Sequence, residues 1–188
     1  MRRCEVSSDA SPRRRAPGFS LIELLVVVVV VAGLLAILLP AVGGVRDAAR
    51  TTRCLSNARQ VGVMLNAYLV DSEGVLPVLH NRGSVDDPLP ALDTVLLPPS
   101  GDTRVYECPA DDRDLYETTG TSYLWNFTVS GQRVDDLFSI VGGDREDRIP
   151  LVSDKEGFHP ELEDKIVVLY ADGHASRSLE FALTGGDS

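Results

Sequence analysis

The sequence predicts an α+β fold in which one long N-terminal helix packs on a small antiparallel β-sheet. Three observations predict it. Residues 19–39 form a nearly unbroken apolar run, and residues 45–69 then repeat apolar side chains at steps of three and four, as on one helix face. Residues 104–179 contain short strand-like runs separated by turn residues. The 188-residue chain is long enough for one domain beside that helix.

The apolar run has the length of a membrane-spanning helix. Between Phe19 and Leu39 the only polar side chains are those of Ser20 and Glu23. About 21 residues that each rise 1.5 Å give roughly 31 Å of helix, which matches the hydrocarbon thickness of a bilayer. We therefore expect residues 19–39 to span a membrane. A carboxylate at that depth is costly unless it is neutralised, so Glu23 is expected to have a partner.

Residues 1–18 differ from the rest of the chain in charge and pattern. They show no apolar periodicity and carry five Arg against Glu5 and Asp9, a net charge of +3. Since the whole chain carries −10, residues 19–188 carry −13. The basic segment is expected on the cytoplasmic side of the membrane, with the acidic C-terminal part outside the cytoplasm. That acidic part would repel phosphate, which excludes nucleic acid as an expected partner.

The start of the apolar run suggests where the partner of Glu23 comes from. A cut after Gly18 would create an amine at Phe19, one helical turn before Glu23, and the ammonium and carboxylate could neutralise each other. Residues 18–23 read Gly-Phe-Ser-Leu-Ile-Glu and follow three arginines at 13–15. This segment resembles the prepilin cleavage and methylation signature of type IV pilins and type II secretion pseudopilins.

The resemblance implies a processing and assembly route. A prepilin peptidase would cut between Gly18 and Phe19, the new Phe19 amine would be N-methylated, and Glu23 would pair with it as subunits assemble through their apolar helices. Pro40 falls where these proteins commonly carry a helix-loosening proline, so a kink is expected there. The implied location is the inner membrane, as a single-pass protein that enters a filament. A secretion platform and its ATPase would be indirect partners.

Other interpretations of the N-terminus stay open. An ordinary secretory signal would be cut near Ala41-Val42-Gly43, and a plain single-pass anchor would keep Glu23 hydrated near the membrane surface. The apolar core of a secretory signal has only about 7 to 15 residues, so the length of this run favours the prepilin interpretation. A further alternative is a membrane-tethered binding or sensor domain that uses a prepilin-type anchor without polymerising.

The chain after the apolar run divides into a helical and a mixed part. Residues 40–70 are expected to form the second half of the long helix, and residues 71–188 a pilin-like C-terminal α+β domain. A short helical turn is expected within residues 89–96. The Asp172-Gly173 pair predicts a tight two-residue hairpin turn. The strand-like runs are residues 104–108, 122–127, 149–152, 165–171 and 174–179.

The cysteines allow one disulfide in the processed chain. Cys4 lies in the leader, so cleavage leaves Cys54 and Cys108 in a domain outside the cytosol, where disulfides persist. A bridge between them would close a loop of about 55 residues and add on the order of 3–4 kcal/mol of stability. The alternative is two buried, reduced thiols.

Acidic residues after Cys108 offer an alternative metal site. Asp111, Asp112 and Asp114 could gather oxygen ligands for Ca²⁺, as happens in a C-terminal loop of major pseudopilins. Such aspartates are more commonly solvated turns, and the EF-hand spacing is missing. The sequence therefore assigns no cofactor and keeps calcium as an alternative.

The C-terminal domain carries a second resemblance. Residues 53–60, 106–111, 121–123 and 170–174 are similar to the pilin-like proteins abundant in Planctomycetes. Many of these carry a His nine residues before an Asp-Gly pair. Here twelve residues separate His159 from Asp172, so no role is carried over to His159.

The other candidate residues are assigned structural roles. Three histidines, His80, His159 and His174, lack metal-binding or nucleophile–base spacing and are expected as ordinary surface or hairpin residues. Tyr123, Trp125 and Phe127 alternate along one predicted strand and are expected to pack in the core, or else to form a partner-binding strip. Because no catalytic motif is present, we expect a structural subunit and not an enzyme.

Overall fold

The computed structural model describes residues 20–138 and 146–179, without the side chains of residues 38–42. The chain divides into two compact units, Met1–Val42 and Gly43–Ser188. Helix α1 (Leu21–Asp71) begins in the first unit and ends in the second. The predicted leader and the cleavage pair Gly18-Phe19 lie outside the described residues. The kink expected at Pro40 stays a prediction.

Helix α1 ends one residue beyond the predicted Val70. Gly74 then takes a left-handed conformation with φ of 80°, which glycine adopts without steric cost. Its N–H donates to the carbonyl of Leu69 at 2.8 Å, so one of the last helical carbonyls has a partner.

The second half of α1 buries one face. Burial begins at Thr51, whereas Val45, Ala48 and Ala49, which the periodic pattern includes, are exposed. Helical spacing predicts which residues share a face but does not reveal where along the helix another element covers that face. The buried apolar side chains of this helix are Cys54, Leu55, Ala58, Val61, Met64 and Leu65.

A four-stranded antiparallel sheet packs on that face. The strands are β1 (Tyr123–Trp125), β2 (Pro150–Asp154), β3 (Val168–Tyr170) and β4 (Ala175–Ser176), in the order β1-β2-β3-β4. A Cβ atom placed on Gly62 of α1 would lie 3.1 Å from Cδ1 of Leu169 in β3, so glycine lets helix and sheet approach closely. The predicted α+β fold is confirmed.

Two strand predictions differ from the structure. Residues Thr103–Tyr106 form a 3₁₀-helix instead of a strand, because the Asp102 carboxylate accepts the N–H of Arg104 at 3.1 Å and caps a helical turn. The β3–β4 hairpin has a three-residue loop instead of two residues, since the N–H of Tyr170 donates to the carbonyl of His174 at 2.9 Å. Gly173 supplies the positive φ of 87° that this loop requires.

The remaining elements are short. Helix α2 (Leu92–Val95) lies where a helical turn was predicted, and α3 (Leu115–Thr119) was not predicted. Tyr123 and Trp125 lie in the core, as expected. Phe127 is 70% exposed because the chain leaves β1 and enters a 3₁₀-helix at that residue, so its core assignment was wrong.

Candidate functional site

The beginning of α1 is a capped helix end. The N–H of Ser20 donates to Oε2 of Glu23 at 2.9 Å, and the N–H of Ile22 donates to Oγ of Ser20 at 3.4 Å. The Ser-x-x-Glu spacing is that of a capping box, but here the Ser20 hydroxyl accepts from Ile22 and not from Glu23. The two side chains still satisfy N–H groups that a helix start leaves unpaired. The sequence analysis missed this role of Glu23, although the spacing indicates it. Its pairing with a Phe19 amine stays a prediction.

The helix that follows is apolar on all sides. Its large apolar side chains between residues 21 and 37 are 48–87% exposed. A helix with this pattern needs lipid or other apolar helices around it. Among the described residues, no helix combines the length and the apolarity needed to cross a membrane. The exposed side chains are Leu21, Ile22, Leu24, Leu25, Val26, Val27, Val28, Val29, Val30, Val31, Leu34, Leu35 and Ile37.

A disulfide joins α1 to the C-terminal domain. It links Cys54, on the buried face of α1, to Cys108, which follows the 3₁₀-helix. Both cysteines are almost fully inaccessible to solvent, and their Cα atoms lie 5.1 Å apart. This is the pair that the cysteine count singles out. The bridge therefore fixes the helix to the loop that leads towards β1.

His159 is buried beside this disulfide, so its expected surface position was wrong. It is 1% exposed. Its N–H donates to the carbonyl of Lys165 at 3.1 Å and its own carbonyl accepts from Leu162 at 3.0 Å, which folds the loop after β2 back over the ring. Its Nδ1 lies 2.9 Å from Oγ1 of Thr51 on α1. A loop residue 108 positions along the chain thus contacts the long helix.

The other ring nitrogen of His159 faces sulfur and carboxylate. Its Nε2 lies 3.5 Å from Sγ of Cys108 and 3.3 Å from Oδ2 of Asp154. The ligand atoms of Cys54, Cys108 and His159 lie within 4.8 Å of one another, and within residues 20–138 and 146–179 they are the only group of three found with this potential for metal binding. In the oxidised chain the two sulfurs are bonded to each other.

Two carboxylates flank His159. Burial raises the pKa of Asp154, although hydrogen bonding to His159 acts in the opposite direction. The Oδ2 atom of Asp154 accepts the N–H of Val167 at 2.7 Å, whereas Oδ1 is buried with no hydrogen-bond partner among the described residues. Partial burial acts to raise the pKa of Glu161, but other contacts outweigh it, so that the pKa lies below its ordinary value. These contacts are the Thr51 hydroxyl, which donates to the carboxylate, and the nearby His159.

A small cleft leads to this cluster from the surface. It has a volume of about 160 Å³, and its lining includes His159, Glu161 and, from α1, Asp47 and Arg50. Asp112 lines the same cleft. The buried histidine therefore borders this cleft directly.

The three aspartates proposed for calcium have different environments. Asp111 already accepts hydrogen bonds from the N–H groups of Arg113 and Tyr116 and, at 2.7 Å, from the hydroxyl of Ser122. Asp112 lines the small cleft, and Asp114 precedes α3 in a left-handed conformation. The structure does not gather their oxygens around one point among the described residues.

A second cleft lies elsewhere on the second unit and is lined by both polar and apolar side chains. It has a volume of about 510 Å³ and is lined by residues of α1, including Arg53, Asn57 and Gln60, and by the segment around Arg104. Arg104 pairs with Asp102 at 3.0 Å. The cleft presents guanidinium, amide and carboxylate groups together.

The other two histidines lie outside both clefts. His80 is exposed. His174 stacks on Tyr170 with ring centroids 4.5 Å apart, and its Nδ1 lies 2.6 Å from Oδ1 of Asp172. These positions agree with the surface and hairpin roles expected for them.

The chain was compared with known families, curated proteins and solved structures. The family described as "Prokaryotic N-terminal methylation motif" matches residues 13–39. No curated protein and no solved structure matches the chain. The family match confirms the resemblance that rests on Gly18, Phe19 and Glu23, and this motif marks pilin-type structural proteins. The N-terminal part of the chain thus carries a prokaryotic N-terminal methylation motif, consistent with the signature of type IV pilin-like prepilins.

Proposed function

We propose that the protein is a pilin- or pseudopilin-like structural subunit of a type II secretion or type IV pilus-type filament. The methylation motif at residues 13–39 carries the proposal. The exposed apolar surface of residues 21–37 adds to it, because neighbouring subunits could cover that surface with their own apolar helices. The acidic second unit would then lie outside the core of the filament.

Glu23 would select the position of a new subunit. Cleavage after Gly18 would expose the Phe19 amine, and a carboxylate in an apolar bundle is stabilised by such an ammonium. Capping of Ser20 uses Oε2 of Glu23, and the same carboxylate has a second oxygen that can accept from an ammonium. One side chain would therefore cap its own helix and bind a processed N-terminus.

The proposed location and partners follow from the same motif. The basic leader would stay in the cytoplasm, residues 19–39 would hold the chain in the inner membrane, and the C-terminal domain would lie outside the cytoplasm. The direct partners would be a prepilin peptidase, membrane lipid and other pilin-like subunits. A secretion platform and its ATPase would act on the assembled subunits.

The mature N-terminus provides the first test. Mass spectrometry of the protein purified from its membrane should find a chain that begins at N-methylated Phe19. A chain that retains residues 1–18, or that begins after Gly43, would contradict the proposal. A Gly18→Leu variant should keep its leader, whereas Gly33→Ala, which changes a glycine with open space around it, should be processed normally.

Substitutions of Glu23 separate capping from charge pairing. Glu23→Gln keeps an oxygen that can accept from Ser20 but removes the negative charge, whereas Glu23→Ala removes both. Both variants should stay in the membrane fraction and fail to assemble filaments. Ser20→Ala, which removes the other half of the capping pattern, should assemble. Normal filament yield from Glu23→Gln would contradict the role of its charge.

The cleft beside Arg53, which presents guanidinium, amide and carboxylate groups, favours a second candidate, a membrane-tethered binding domain that does not polymerise. Cysteines placed one at a time in residues 26–31 distinguish the two. Oxidative crosslinking in membranes should give a ladder of oligomers if the apolar helices pack into a filament. Monomers and dimers alone would favour the tethered binding domain.

A further inference from the structure

We infer that Cys54, Cys108, His159 and Asp154 form a zinc site when the disulfide is reduced. The inference rests on the second unit alone and does not depend on filament assembly. Two thiolates, an imidazole and a carboxylate are ligand types that Zn²⁺ uses in tetrahedral sites. The same cysteine pair would therefore have two buried states, a disulfide and a zinc-bound dithiolate.

The distances around His159 match the edges of a zinc tetrahedron. Zinc lies about 2.3 Å from sulfur and about 2.0–2.2 Å from nitrogen or oxygen, so ligand atoms on one ion are roughly 3.5 Å apart for N and S and roughly 3.4 Å apart for N and O. The observed separations of Nε2 are 3.5 Å from Sγ of Cys108 and 3.3 Å from Oδ2 of Asp154. The Sγ of Cys54 lies within 4.8 Å of the His159 ring nitrogen. It is bonded to the Cys108 sulfur in the disulfide, so after reduction the two sulfurs must move apart, to roughly 3.8 Å in a zinc tetrahedron.

The surroundings of these ligands resemble the second layer of a metal site. A zinc-bound imidazole usually gives the proton on its other nitrogen to an oxygen atom, which fixes the ring. Nδ1 of His159 has such oxygens, Oγ1 of Thr51 at 2.9 Å and Oε1 of Glu161 at 3.6 Å. The Asp154 carboxylate is in turn held by the N–H of Val167 at 2.7 Å.

The burial of this cluster favours the binding of a cation. Cys54, Cys108, His159 and Asp154 are each at most 4% exposed, and Oδ1 of Asp154 is a buried oxygen with no hydrogen-bond partner among the described residues. Negative charge at such a position is costly unless a cation compensates it. Replacing two thiol protons with one Zn²⁺ leaves the net charge of the cluster unchanged, and it places the ion directly beside the Asp154 carboxylate as that ion's fourth ligand.

The disulfide is converted to the zinc-bound state in two steps, reduction and metal binding. A water-soluble phosphine donates two electrons to the disulfide, takes the oxygen of a water molecule and becomes a phosphine oxide, while the two protons of that water go to the sulfurs. Zn²⁺ then replaces both thiol protons, which pass to the buffer.

Metal titration of the full chain in detergent micelles tests the inference. After phosphine reduction and anaerobic desalting, the chain should bind one Zn²⁺ in competition with a chromogenic chelator, and the oxidised chain none. Co²⁺ in the same site should give the intense visible bands of a tetrahedral site together with sulfur-to-metal charge transfer. Zinc binding by the reduced chain that is no tighter than that of a Cys54→Ser/Cys108→Ser variant would overturn the inference, as would bound Co²⁺ without the charge-transfer band.

Two further variants test whether the imidazole of His159 is a zinc ligand. His159→Gln should weaken zinc binding by more than about 100-fold. Thr51→Val removes the hydroxyl that lies at Nδ1 of His159 and donates to Glu161, and should weaken zinc binding by about 10-fold. His174→Gln is the matched control and should bind like the unaltered chain. Unchanged affinity in His159→Gln would remove the imidazole from the site and overturn the inference. If that variant does not fold, as judged by the fluorescence of Trp125, Thr51→Val decides the role of the ring: a loss of about 10-fold supports it, and unchanged affinity overturns it.

Discussion

Replacing Gly120 with alanine should destabilise the second unit more than its backbone conformation alone explains. Gly120 follows α3 with φ of 84°, and a Cβ atom there would overlap Nη2 of Arg82 and Oδ2 of Asp93. These two atoms form a 2.5 Å ion pair whose side chains are only 4% and 14% exposed. The new methyl group cannot be accommodated unless the pair separates or α3 moves.

Two costs contribute to the expected effect of Gly120→Ala. An alanine in the left-handed region costs about 1–2 kcal/mol. Breaking a buried ion pair leaves an uncompensated charge and costs about 3–5 kcal/mol. Gly101→Ala provides the control, because Gly101 has φ of 71° and no heavy atom within 4 Å of the new Cβ. We expect the two variants to differ by about 3 kcal/mol in the free energy of unfolding.

Urea unfolding of the full chain in detergent, followed by tryptophan fluorescence, measures this difference. Trp125 is the only tryptophan and is fully buried, so its emission reports on the second unit. If Gly120→Ala and Gly101→Ala lose the same free energy, the overlap with Arg82 and Asp93 has no energetic consequence. The reasoning from the ion pair would then be refuted.

Three further predictions concern the stability of the second unit. Replacing Cys54 and Cys108 with serine should cost about 3–4 kcal/mol in urea unfolding, since the bridge restricts a long loop in the unfolded chain; a loss below about 1 kcal/mol would contradict this. Partial burial acts to raise the pKa of Asp111, but the hydrogen bonds to its carboxylate together act more strongly and hold that pKa below its ordinary value of 3.8. The contribution of Asp111 to stability is therefore present above pH 3.8 and is lost as the pH falls through the lower pKa of the folded state. Asp111→Asn should therefore flatten the acid limb of the stability curve, and an unchanged limb would disprove the assignment. Gly62→Ala should destabilise the folded state by about 1 kcal/mol, because the new Cβ would crowd a leucine of β3. Gly44→Ala, which has open space around its Cβ, should stabilise the folded state by up to about 1 kcal/mol. Equal effects of the two variants in thermal melts would argue against close helix–sheet packing.

The parts of the fold that sequence predicts best are those with a local period. The buried face of α1 repeats every three to four residues from Cys54 to Leu65, so the pattern alone identifies it. The apolar runs of β2 and β3 are likewise visible in sequence. The pairing of β3 with β4 follows from the short connection between those two strands. The capping role of Glu23 is also predictable, because the Ser-x-x-Glu spacing at the start of α1 is a local pattern. The sequence interpretation considered only the charge of Glu23.

The zinc-type cluster could not be predicted in this way. His159 lies in an irregular loop without periodicity, and its burial depends on Thr51, which is 108 positions away. The cysteine count selects the disulfide but says nothing about which ring or carboxylate packs against it. Asp154 lies two residues beyond the strand-like run predicted at 149–152, and only the antiparallel pairing of β2 with β1 and β3 places it in the interior.

The irregular segment between α1 and the sheet shows how a proline-rich stretch without predicted structure is nevertheless fixed in place. Strand β1 is at the edge of the sheet, so the backbone groups on its outer side need partners. Asn81 supplies both to Trp125: its Oδ1 accepts the N–H at 2.7 Å and its Nδ2 donates to the carbonyl at 2.8 Å. The next residue, Arg82, inserts its guanidinium between Asp93 and the carbonyl of Thr119. Because side chains take the place of a fifth strand here, this segment has no repeating apolar pattern. A sequence pattern therefore cannot reveal which of its polar residues bond to the edge of the sheet.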